Sequence, residues 1–140
     1  MVKNGKDLLL FSLGGGAYVG LELLWRGRSH GSMFLAGGSS FLLLGKLRDR
    51  LRPLTFPVRG LVCSGVITAV ELVTGLVFNR DYRVWDYRDM PCNFRGQICL
   101  PFSLLWVPLG FAGMELYRMV DHSLDRMASS LSKSSSRKPA

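Results

Sequence analysis

Apolar positions along this chain are grouped in blocks rather than dispersed. Leu8 to Leu24, Ser32 to Gly45, Leu61 to Phe78 and Leu100 to Val120 are mostly hydrophobic, and the segments between them hold nearly all the lysine and arginine. A soluble helical bundle would carry charge on every helix at a 3.6-residue period, because each of its helices has a wet face. These blocks lack that period. Three of them hold a single interior carboxylate (Glu22, Glu71 and Glu115) and the second holds none. The pattern predicts an all-α polytopic membrane protein of about four transmembrane helices, spanning roughly 7–25, 29–46, 58–79 and 98–120.

Crossing the hydrocarbon core takes about 20 residues at 1.5 Å rise. The second block reaches the lower limit only when extended from Ser29 to Lys46, so this helix is expected to be short, tilted or partly re-entrant. Lys3 and Lys6 ahead of an apolar run imitate a secretory signal. The run continues into Glu22 and Trp25 without a small-residue cleavage site, which predicts a retained first helix.

Short loops rich in lysine and arginine stay on the cytoplasmic side. With four crossings, twelve of the 18 basic residues fall on the side of the termini and six on the other. Both termini are therefore expected in the cytoplasm, with the protein in the cell membrane. The net charge of +8 is spread over several boundary loops and accompanies no nucleic-acid recognition motif, so anionic headgroups account for it and a nucleic-acid partner is not expected. Residues 1–127 read as one transmembrane domain and 128–140, rich in Ser and Lys, as a disordered cytoplasmic tail.

The candidate chemistry gathers on the opposite side. A carboxylate inside a membrane helix costs roughly 2.5 to 3.5 kcal/mol on insertion scales, so each needs a partner or a purpose. Glu22 precedes Arg26 by four residues, the favourable order for a helical pair, with Trp25 beside them. Ser64, Thr68, Glu71 and Gly75 draw a small and polar stripe down one face of the third helix, which predicts a close neighbour on that face. Glu115, three residues before Arg118, reads as an interfacial ion pair. The connection from Asn79 to Gln97 is long for so small a chain and holds Trp85, Asp86, Tyr87 and Asn93. Topology thus brings Glu22, Arg26, His30, Glu71, Asn79, Asp86, Asn93 and Gln97 to one membrane face as a candidate ligand site. A polar network that locks the fold is the competing reading.

Catalysis has weaker support. His30 with Asp86 or Glu71 could exchange a proton, but Ser29 and Ser103 sit in no nucleophile context, and no catalytic residue is assigned. His30, Cys92 and Cys99 lack an established zinc spacing, so no metal or cofactor is expected. Cys92 and Cys99 are open to a disulfide or to simple burial, with Cys63 left free.

The strings RGRSHGSMFLAGG (Arg26 to Gly38) and WDYRDMPCNFRGQICLPFSLLW (Trp85 to Trp106) resemble the family named Putative ABC-transporter type IV, also called CmpB-like. A related pattern is seen in small eukaryotic transmembrane proteins of unassigned function. The likeness runs from about Gly20 to Asp121 and takes in TAVELVTGLVFN around Glu71. It implies a small multi-pass membrane protein and, by the family's label, a permease component, for which the polar candidates above would form an outward-facing pocket for a small polar or cationic solute. The chain has no Walker lysine loop, and four helices are few for a permease half, so transport would require a homo-oligomer or a partner membrane or ATPase subunit. The competing functions are a membrane-embedded enzyme acting on a lipid or envelope precursor, and a structural or assembly subunit.

Overall fold

The computed structural model describes residues 3–137. Four helices make up the described chain: α1 (Lys3–Arg26), α2 (Gly31–Leu51), α3 (Phe56–Phe78) and α4 (Leu100–Ser136). The only ladder contact among the described residues is an isolated bridge between Phe94 and Ile98. α1 from Asn4, α3 and α4 are long and apolar enough to cross a membrane. Their outward positions carry bare apolar side chains such as Leu24, 88 % exposed, Leu61 and Val73. A surface of that kind is stable where the solvent is hydrocarbon.

α2 differs from its sequence reading. It begins at Gly31 because His30 caps it, Nδ1 accepting the Ser32 backbone N–H at 3.1 Å. It then runs through the basic segment to Leu51 rather than stopping at Lys46. Leu51 is buried in a cluster with Leu44, Cys63 and Met114, so the added turn has apolar support, and just before it Lys46 reaches Asp7 on α1 at 2.7 Å. Its charged end keeps α2 out of the set of membrane-length apolar helices.

α3 and α4 begin alike. Thr55 and Cys99 are extended N-caps, and Pro57 and Pro101 occupy the first turn, where the missing N–H costs nothing. α4 continues through residues 128–136, read from composition as disordered, as an exposed helical extension. Residues 138–140 of that tail lie outside the described residues.

α2 is the hub. It packs on α1, α3 and α4, while α3 pairs with α4 and α1 meets α4 only sparingly. Small residues set the α1–α2 approach: a Cβ on Gly38 would stand 2.7 Å from the Phe11 carbonyl oxygen, and one on Gly15 2.6 Å from that of Phe34. At the N-terminal end of α1, Lys6 bridges Asp121 and Asp125 of α4, each at 2.7 Å. Among the described residues α1 and α3 make no packing contact, which leaves a cleft between α1 and the α3–α4 pair.

Candidate functional site

Glu71 lines that cleft. α3 brings it there on the small and polar face predicted for the helix. Ser64 Oγ donates to the Ser103 carbonyl at 2.5 Å, Thr68 meets the Ser103 hydroxyl at 2.9 Å, and Gly75 lies beneath Trp85 and Gln97. The Glu71 side chain is only 7 % exposed. Its Oε1 accepts the Tyr87 hydroxyl at 2.9 Å and its Oε2 the Trp106 indole N–H at 3.0 Å. The carboxylate is therefore held by one donor from the long loop and one from α4. Each oxygen retains a lone pair for a further donor.

Aromatic rings wall the carboxylate. Tyr87 stacks on Phe102 with centroids 4.9 Å apart, and Trp106 lies against both Phe102 and Tyr18. Burial pushes the pKa of the Tyr87 hydroxyl well above the ordinary phenol range, and the Glu71 carboxylate beside it adds to the effect, so this group stays a donor.

The cleft encloses two joined cavities of about 330 and 210 Å³. They share Tyr18, Leu21, Met33, Glu71, Trp106 and Leu109. The larger one reaches Glu22, Trp25 and Arg26, and the smaller one extends to Gly14, Phe41 and Leu44. Glu22 pairs with Arg26 within α1, and Arg26 Nη1 also donates to the Val84 carbonyl at 2.9 Å. That bond ties the end of α1 to the long loop. Polar groups thus collect at one end of a cleft that is otherwise apolar.

The eight sequence candidates separate in space. Glu22, Arg26 and Glu71 line the cleft together. Asn79, the C-cap of α3, and Gln97 are buried and bonded to each other, and Asn79 also donates to the Trp85 carbonyl. Asp86 is exposed, and the Arg88 guanidinium holds its carboxyl at about 2, below the usual carboxylate range. Asn93 bonds the carbonyls of Arg88 and Met90 and receives the Gly96 N–H, closing a turn. His30 is engaged as the α2 cap. The cleft also contains Tyr18, Tyr87 and Trp106, which the sequence reading did not single out as site residues. Tyr18 was accessible to it: four residues before Glu22, it shares that helical face. Trp106 was not, because only packing of α4 on α3 brings it to Glu71.

All three cysteines are free, with Cys92 exposed and Cys63 and Cys99 buried. No cluster suited to a metal ion occurs among the described residues.

Residues 30–136 match the sequence profile of the family described as Putative ABC-transporter type IV. The chain belongs to this family. No curated protein and no solved structure matches it. Family membership and the membrane-length helices are consistent with a transport-related membrane protein.

Proposed function

We propose that this chain is a permease-like component of the cell membrane that holds a small solute, cationic or bearing a hydrogen-bond donor, in the α1–α4 cleft against Glu71. The observation that carries this reading is the setting of Glu71. A buried carboxylate fixed by two donors from separate elements still lines both cavities and can accept one bond more at each oxygen. The Glu22–Arg26 pair at the same end would orient the solute.

The proposed topology, in which α2 also crosses the bilayer as a short fourth helix, puts both termini in the cytoplasm and the cleft's polar end outside, following the basic-residue bias. Four helices with a cleft lined from Gly14 to Arg26 on α1 do not by themselves make a path across the bilayer. Transport then requires a second copy or a partner subunit, the latter also supplying energy.

Native mass spectrometry of the protein released from lipid nanodiscs tests the site. Wild type is expected to carry a bound small molecule that Glu71→Gln loses while its helix content is unchanged. Ligand-free spectra for both would identify the Glu71 cluster as a structural network.

A further inference from the structure

We propose that the cleft takes the apolar tail of a lipid-like amphiphile drawn sideways from one leaflet of the bilayer. The inference rests on reading the cleft as a solute site and names the class of that solute.

The first observation is where the cleft opens. Its mouth runs between α1 and α4, two membrane-length helices in sparse contact. Leu21 and Leu105 form its lips, and both are exposed. In a bilayer this opening faces hydrocarbon, so the solutes that reach it are those dissolved among lipid tails.

Length provides the second observation. The α1 lining runs from Gly14 to Arg26, about 18 Å at 1.5 Å per residue. One leaflet is about half of a hydrocarbon core of roughly 30 Å, or about 15 Å. The cleft is one tail deep.

Polarity is the third. The Gly14 end is lined by Phe41 and Leu44, whereas the opposite end holds Glu22, Arg26 and the 84 % exposed Trp25. Charged and indole side chains at that end lie at headgroup level. The cleft therefore has the dimensions and the polarity order of a lipid standing in its leaflet, with Glu71 below the headgroup to receive an ammonium, amide or hydroxyl group.

Contact quenching by brominated lipid tests this directly. Trp85 and Trp106 line the larger cavity and are almost wholly buried, while the bilayer-facing Trp25 is removed by Trp25→Phe. In nanodiscs of phosphatidylcholine dibrominated on one acyl chain, emission of this variant is expected to fall at least twofold relative to unbrominated lipid. Adding Leu21→Phe and Leu105→Phe, which narrow the mouth at exposed positions, should restore it. Ala17→Phe, at the exposed wall of the deeper cavity, gives an independent obstruction, with circular dichroism reporting the fold. Emission unaffected by bromine in the open protein would overturn the lipid-tail proposal. So would quenching that both obstructions leave unchanged. A solute still lost from Glu71→Gln in the mass spectra would then preserve the solute site while excluding tail occupancy.

Discussion

Asn79 and Gln97 exchange hydrogen bonds across the long loop: Asn79 Nδ2 donates to Gln97 Oε1 at 3.0 Å, and Gln97 Nε2 donates to the Asn79 carbonyl at 3.0 Å. Asn79 also donates to the Trp85 carbonyl at 2.7 Å and accepts the Val84 N–H at 2.9 Å, while the Trp85 indole N–H donates to the Gln97 carbonyl. One side chain at the end of α3 thus replaces the backbone pairing that a strand would have provided. The loop it organises presents Tyr87 to Glu71.

Removing that side chain should loosen the loop before the helices. Asn79 is 0 % exposed, and Asn79→Ala leaves several buried partners unsatisfied, at about 1–3 kcal/mol for each group so stranded. The expected outcome is faster proteolysis within residues 80–98 and a lower unfolding midpoint in detergent. An unchanged cleavage rate would mean that the aromatic packing holds the loop without the amide network.

Glu71 and Trp106 should be energetically coupled. A double-mutant cycle of Glu71→Gln with Trp106→Phe is expected to give an interaction of about 0.5–3 kcal/mol, as for residues in one hydrogen-bond network. Chemical denaturation in detergent provides the measurement. Additive effects would show that the indole N–H contributes no net stabilisation at this carboxylate.

The loop is expected to soften in acid at a pH set by the Asp86–Arg88 pair. Arg88 lowers the Asp86 carboxyl to about 2 from an ordinary value near 3.8. A depressed carboxyl stabilises the native loop fully above the unfolded value and loses that contribution as pH falls through the folded one. Softening should therefore develop between about pH 4 and 2. Arg88→Met should return the carboxyl to its ordinary range and remove this dependence, read by carboxyl chemical shifts. A midpoint unmoved by the substitution would show that other groups set it.

Thiol labelling tests the proposed sidedness. Cys92 is exposed on the long loop, whereas Cys63 and Cys99 are buried, and burial raises the Cys99 thiol above its ordinary value. A membrane-impermeant maleimide should modify Cys92 on intact cells and leave Cys92→Ser unlabelled. Labelling only after permeabilisation would reverse the orientation.

The linear order of residues determined the helical class and the number of helices, because blocks of apolar residues bounded by charge have few ways to satisfy their backbone in lipid. Local spacing also disclosed the Glu22–Arg26 pair and the Ser64, Thr68, Glu71 and Gly75 face, since i, i+3 and i+4 relations follow from helix geometry alone. The end of α2 was beyond its reach, because that turn is stabilised by Leu51 in a cluster with α3 and α4 residues. So was the division of the eight polar candidates. Topology brings residues to one membrane face, but packing over a few ångströms decides what each then touches. It spent Asn79 and Gln97 on each other and placed Glu71 between Tyr87 and Trp106, 16 and 35 residues away. Hydrogen bonds and cavities form over such short distances that only the tertiary structure could separate groups that close the fold from groups left to meet a ligand.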